Sequence, residues 1–253
     1  MTPSTACPER ALRALLSAAF WLAVWALAAL WAGRELILPG PAVVLRRLAV
    51  LAGTGAFWQT AAASLGRILA GLVWGTAAGC ALAGLTAAFR WADTLFSPAI
   101  RVVRATPVAS FILLVLLWTA RGAVPVVISG LMVLPVVWDN VSRGLRQRDP
   151  ELMELARAYR FSRFKTAHLI LLPAVRPHFF SAMTNAVGLA WKSGVAAEVL
   201  CLPRPAIGTQ IYNTKLYLET ADLFAWTMTV ILLSLALEAL VRLLFRRGKG
   251  AAV

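Results

Sequence analysis

Residues 68–89 read ILAGLVWGTAAGCALAGLTAAF, an uncharged run closed by Arg67 on one side and Arg90 on the other. A helix of about 20 apolar residues, at about 1.5 Å each, crosses the ~30 Å hydrocarbon layer of a bilayer. The run therefore reads as a membrane helix, starting upstream at about Gln59. Gly71, Gly75 and Gly79 recur in it every fourth residue, which places them on one helical face where a neighbouring backbone can approach closely. The reading expects them to pack helices within the bundle. The same search for long, mostly apolar runs finds candidate spans at 14–33, 102–120, 123–140, 178–200 and 223–245, six with 59–89. The expected fold is all-α: a polytopic membrane helix bundle of six transmembrane helices, one domain over 1–253.

Composition agrees. Of 253 residues 60% are hydrophobic and 14% charged, against about 45–50% and about 25% in soluble domains. That leaves too little polar surface for a soluble globule, and too much hydrophobicity for disorder. The first run, ALLSAAFWLAVWALAALWAG, exceeds a signal-peptide core of about 7–15 residues and reads as a retained span. Cys7, Cys80 and Cys201 are odd in number and lack a CxxC pattern, so neither a disulfide framework nor a zinc site is expected. Segment 48–66 is uncharged, but Gly53, Thr54, Gly55, Gln59 and Thr60 interrupt it. Its first part reads as an interfacial helix over 41–52, after the Pro39-Gly40-Pro41 turn.

Charge placement sets the orientation. There are 25 Lys+Arg against 11 Asp+Glu, a net charge of +14. With both termini in the cytoplasm, Arg34, Arg46, Arg47, Arg121, Arg204 and Lys215 fall outside. Arg67 and Lys192 lie at span depth, and every other basic residue falls inside. This is the positive-inside bias, and it replaces nucleic-acid binding as the explanation of the excess. A seventh span at 48–66 would put the most basic loop outside. Arg67, following Ser64 in the outer third of its span, is expected to snorkel. Lys192 and Glu198 lie within one span, where ionisable groups are functional candidates. Six residues apart, they point to different helix faces. Both are candidate translocation-path residues: Lys192, near mid-span, would attract an anionic solute, and Glu198 sits near the outer end, where an interfacial place is the other reading. Pro135 is expected to kink its helix.

Between the fourth and fifth spans, loop 141–177 carries PELMELARAYRFSRFKTAHLILLPAVRP from Pro150. Asp149-Pro150 reads as an N-cap followed by proline at the first helical position. Leu152, Leu155, Ala156 and Tyr159 share one face. A second short helix is expected from Arg163 to Leu171, ended by Leu172-Pro173. In isolation this is a basic helical hairpin at the membrane surface, suited to anionic headgroups.

The loop resembles the EAA loop of ABC-importer permeases: E-A-A, three residues, G, nine residues, I-x-L-P. Glu154, Ala156, Ile170, Leu172 and Pro173 match, and Pro177 matches a further proline common in the group. Leu155 replaces an alanine and Arg160 the glycine. Because glycine there accepts positive φ, Arg160 is expected to avoid the left-handed region or to force a different turn. Other segments are similar to the nitrate/sulfonate/taurine importer type: Leu38-Pro39-Gly40-Pro41, Ser64-Leu65-Gly66-Arg67 with Gly71, Arg104-Ala105-Thr106-Pro107, Ala190-Trp191 to Ala197-Glu198, and Ile207-Gly208.

The resemblance implies the type I importer permease architecture in a bacterial inner membrane. It implies a second permease subunit, expected as a homodimer, two cytoplasmic ATPase subunits, and an extracytoplasmic solute-binding protein. It makes Glu154, Leu155, Ala156, Arg160, Phe164, Ile170, Leu172 and Pro173 the ATPase-coupling loop. The solute would be a sulfonate, taurine, nitrate or a similar small molecule. No GxxxxGK[ST] occurs, so no cofactor is expected here and ATP would be bound by the partner. A self-contained secondary transporter or channel is the alternative. Intramembrane catalysis is disfavoured, since His168 and His178 lie in or beside the loop and HExxH is absent.

Overall fold

The computed structural model describes residues 6–147 and 149–249. Arg148 of the basic loop and the extreme termini assigned to the cytoplasm lie outside them. The described residues hold helices and no strand. The helices are α1 (Ala6–Ala32), α2 (Pro41–Ala52), α3 (Gly55–Ala88), α4 (Arg90–Ala105), α5 (Val108–Trp118), α6 (Val124–Arg146), α7 (Pro150–Ala158), α8 (Arg163–Thr166), α9 (Leu172–Cys201), α10 (Ile207–Leu216) and α11 (Thr220–Lys249).

Among them α1, α3, α6 and α11 are long and apolar enough to cross a membrane. The α4–α5 pair makes a fifth candidate if counted as one span. At 30 residues α9 is also long enough, about 45 Å, but it is less apolar and carries Lys192 and Glu198. The chain is an all-α polytopic membrane protein.

The expected third span, 102–120, is divided between two helices. α4 and α5 are bent from each other by 109° at Thr106-Pro107. A proline ring disfavours helical geometry in the preceding residue, and Thr106 is extended, with φ −78° and ψ 132°. α4 is amphipathic. Arg90, Asp93, Ser97, Arg101 and Arg104 recur at helical spacing along one stripe, while Trp91, Leu95 and Val102 are exposed on the other side.

The chain divides into two compact units. The first joins Met1–Trp58 and Gln210–Val230. In it the Trp25 indole N–H donates to the Pro39 carbonyl at 3.1 Å, and its ring stacks on Phe224. Arg47 of α2 grips Asp222 through two nitrogens. That contact, by hydrogen bond and charge, raises the Arg47 guanidinium above its ordinary pKa.

The second unit joins Gln59–Thr209 and Ile231–Val253. α6 is the most buried of the span candidates. Ile128, Val133 and Val137 on it are fully buried, as are Ile68 on α3 and Trp191 on α9. Pro135 is buried inside α6. Beside this core Ile112, Val124, Ile128, Ala197 and Cys201 pack together, with Val108 and Phe111 against them. Ser129 Oγ donates to the Ala190 carbonyl at 3.2 Å, pinning α6 to α9.

Candidate functional site

The loop is built from local chemistry. Asp149 caps α7 by accepting the Glu151 N–H at 2.9 Å, and Pro150, which has no N–H to leave unpaired, follows. α7 ends on a left-handed residue. Arg160 has φ +51°. Its N–H donates to the Arg157 carbonyl at 3.0 Å, and the Phe161 N–H reaches the Ala156 carbonyl at 2.8 Å. These are the paired bonds of a Schellman cap. Arg160 therefore neither avoids the left-handed region nor forces a different turn: it adopts the conformation glycine would have. The steric penalty, about 1–2 kcal/mol, is offset by the satisfied carbonyls.

The expected stop at Leu172-Pro173 is also overturned. α8 runs into a π-helical turn, Ala167–Leu171, and that turn into α9. Pro173 carries no N–H and its ring crowds the preceding turn. The wider π turn accommodates it, with the Leu172 N–H donating to the Ala167 carbonyl. A helical path thus runs unbroken from Arg163 to Cys201.

Ala156 and Ile170 are buried and anchor the loop. Leu152, Leu155, Tyr159, Phe164 and Leu172 are exposed, Tyr159 at 72% and Phe164 at 82%. Glu154, Arg160 and Pro173 are exposed too. The Phe164 ring lies parallel to the His168 ring, and Lys165 sits 4.3 Å above the Phe161 ring. The loop presents an apolar row edged by basic side chains and Glu154.

Glu198 is fully buried. It accepts from Ser64 Oγ at 2.7 Å, Arg67 Nη1 at 2.7 Å and the Gly208 N–H at 3.1 Å. Arg67 also donates to the Pro205 carbonyl, and Ser64 Oγ accepts the Ile207 N–H at 2.9 Å. One carboxylate therefore ties α3, α9 and the segment 205–208 together. Arg67 does not snorkel freely; its side chain is 17% exposed and ion-paired. The sequence reading named Ser64, Arg67, Glu198 and Gly208 separately and missed that they meet. The available signal was chemical: a carboxylate at span depth needs a cation, and Arg67 is one of two at that depth. A Cβ at Gly208 would stand 2.5 Å from the Glu198 Cβ, so the close approach itself needs glycine.

Lys192, one turn and a half earlier on α9, is exposed and does not meet Glu198. The glycine stripe lies against α6. A Cβ at Gly71 would fall 2.6 Å from the Val126 carbonyl oxygen, and at Gly75 2.5 Å from the Gly130 carbonyl oxygen. A Cβ at Gly79 would come 2.9 Å from the Leu134 carbonyl oxygen. All three contacts are with backbone that cannot yield cheaply.

Comparison with known proteins bears on this arrangement. The family described as "Binding-protein-dependent transport system inner membrane component" matches residues 71–249. The putative aliphatic sulfonates transport permease protein SsuC of Escherichia coli (strain K12) is 29% identical over 79% of this chain and 76% of its own. The taurine transport system permease protein TauC of the same organism is 26% identical over 88% and 83%. The riboflavin transport system permease protein RibX of Chloroflexus aurantiacus is 26% identical over 83% and 78%.

Proposed function

The chain belongs to the family of binding-protein-dependent transport system inner membrane components, and from that membership we propose how it works as the permease subunit of an ABC importer. It is a transport protein of the membrane and not an enzyme. In our reading, loop residues 150–173 dock on a cytoplasmic ATPase, a second copy of the permease completes the pore, and an extracytoplasmic binding protein delivers the solute. ATP binding by the partner favours one of two bundle states, and the loop transmits that preference.

The observation that carries the proposal is mechanical. The exposed apolar row of α7 and Phe164 precedes an uninterrupted helical path into α9. A force on that row would pass along packed helix rather than along a slack linker. The basic excess of this segment supports a cytoplasmic placement, with both termini inside a bacterial inner membrane. For the solute, the names of two relatives favour a small aliphatic sulfonate such as taurine, with exposed Lys192 on α9 as the cation along its path. The riboflavin relative indicates that the scaffold alone does not set specificity.

The test is charge reversal at the loop. Glu154→Arg should abolish co-purification of the ATPase, or leave ATP hydrolysis running without uptake, while the permease still inserts in the membrane. Wild-type uptake with unchanged ATPase retention would refute the coupling assignment.

A further inference from the structure

Between α4 and α6 lies a cavity of about 440 Å³ whose chemistry the transport reading does not use. Four guanidinium groups line it, Arg101 and Arg104 from α4 and Arg143 and Arg146 from α6, together with two carboxylates, Asp93 and Asp139. Arg104 and Arg143 share Asp139, with Arg104 Nη1 at 3.2 Å. Arg146 stands 3.4 Å from Asp93, which also accepts from Ser97 Oγ at 2.6 Å. Arg101 has no ion-pair partner among the described residues. Four positive charges against two negative leave a surplus of two, and converging cations unbalanced in one cavity attract an anion.

A second, independent feature borders the same space. Ser142 lines the cavity and is 6% exposed, yet its hydroxyl has no hydrogen-bond partner among the described residues. A buried hydroxyl left unpaired is costly, and such groups in native proteins almost always have a partner. Because the residue lines the cavity, rotation about its Cα–Cβ bond would bring that hydroxyl to an oxygen held by the arginines.

We propose that this cleft is a binding site for a tetrahedral oxyanion, a phosphate-type group gripped by Arg101 with its neighbouring arginines and by the Ser142 hydroxyl. Guanidinium forks from two helices supply donors from several directions, which suits a group with three or more acceptor oxygens better than a planar carboxylate. The inference rests on this cleft alone and not on the importer reading. The oxyanion has two possible sources. One is the headgroup phosphate of an anionic lipid, for which the exposed Trp91, Leu95 and Val102 of amphipathic α4 supply an adjoining apolar flank. The other is a soluble phosphate or sulfonate.

The experiment compares the full-length wild type with Arg101→Gln and Ser142→Ala. In one arm the thermal midpoint in neutral detergent is followed against inorganic phosphate at constant ionic strength. In the other, lipid retained from bilayers containing equal phosphatidylglycerol and phosphatidylcholine is counted by native mass spectrometry. The half-saturating phosphate concentration should rise at least tenfold in Arg101→Gln and severalfold in Ser142→Ala, or phosphatidylglycerol retention should fall correspondingly. A lipid effect without a phosphate effect identifies a headgroup; the converse identifies a soluble oxyanion. Equal behaviour of all three proteins in both arms overturns the proposal, as does Ser142→Ala being more stable than wild type with no change in either ligand.

Discussion

Replacing Glu198 by alanine isolates what the buried carboxylate does. The substitution removes the acceptor of three hydrogen bonds, from Ser64, Arg67 and Gly208. It leaves the Arg67 guanidinium, 17% exposed, with the Pro205 carbonyl as its one partner among the described residues. Removing one member of a buried ion pair costs about 3–5 kcal/mol, chiefly by stranding the other charge. Because Arg67 keeps one acceptor and some contact with its surroundings, the lower end, about 3 kcal/mol, is expected. That is a roughly hundredfold shift in a folding equilibrium. The assay is reversible unfolding in mixed micelles titrated with sodium dodecyl sulfate. Glu198→Gln keeps an acceptor for Ser64 and Gly208 and should lose about half as much. Arg67→Met combined with Glu198→Leu removes both charges and should recover most of the loss, since a paired charge replaced by apolar volume is often neutral. A Glu198→Ala protein within about 0.5 kcal/mol of wild type would refute the network's role, taking that as the scatter of unremarkable substitutions. A double variant as unstable as the single one would refute charge stranding as the cause.

Three further outcomes are expected. Arg160→Gly should raise the thermal midpoint, gaining about 1 kcal/mol by relieving the left-handed backbone, whereas Arg160→Val should lower it; equal midpoints would contradict the cap geometry. Gly75→Ala should cost about 1–3 kcal/mol through overpacking against the Gly130 backbone, measured in the same unfolding titration, while Gly84→Ala, where a Cβ meets nothing within 4 Å, should be neutral or slightly stabilising. Lys192→Ala should reduce uptake at limiting solute without reducing ATPase retention, and undiminished uptake would remove Lys192 from the solute path.

The parts of the fold legible in sequence are those set by neighbours along the chain. Spans declare themselves by about 20 uncharged residues, because bilayer thickness is a length requirement. The α7 cap was legible because Asp149 and Pro150 act within two residues of themselves. The α4–α5 bend was not, although its signal was local. Arg90, Asp93, Ser97, Arg101 and Arg104 repeat at helical period outside any apolar run, and a search for charge-free stretches passes over such a stripe. Pro173 misled for a different reason: a proline ends an α-helix unless the hydrogen-bond ladder shifts register, and nothing in the residue types announces the Leu172-to-Ala167 bond.

Glu198 and Arg67 are 131 residues apart, beyond the reach of any periodicity, yet electrostatics narrows the choice of partner. A carboxylate buried to 0% exposure requires a cation at the same depth. Only Arg67 and Lys192 lie at span depth in the reading of the spans. Lys192 is on the same helix, six residues away, which at about 100° per residue turns it roughly 120° from Glu198 around the axis. Arg67 is what remains, and the Ser64-Leu65-Gly66-Arg67 segment places a hydroxyl on the same face one turn earlier. The same pairing bears on Lys192. Since the acid of its own helix is neutralised by Arg67, its charge is not cancelled within α9, and an exposed, uncancelled ammonium at span depth is costly in lipid. A role on the solute path would show in uptake, which is why transport at limiting solute, rather than stability, is the measurement that bears on it.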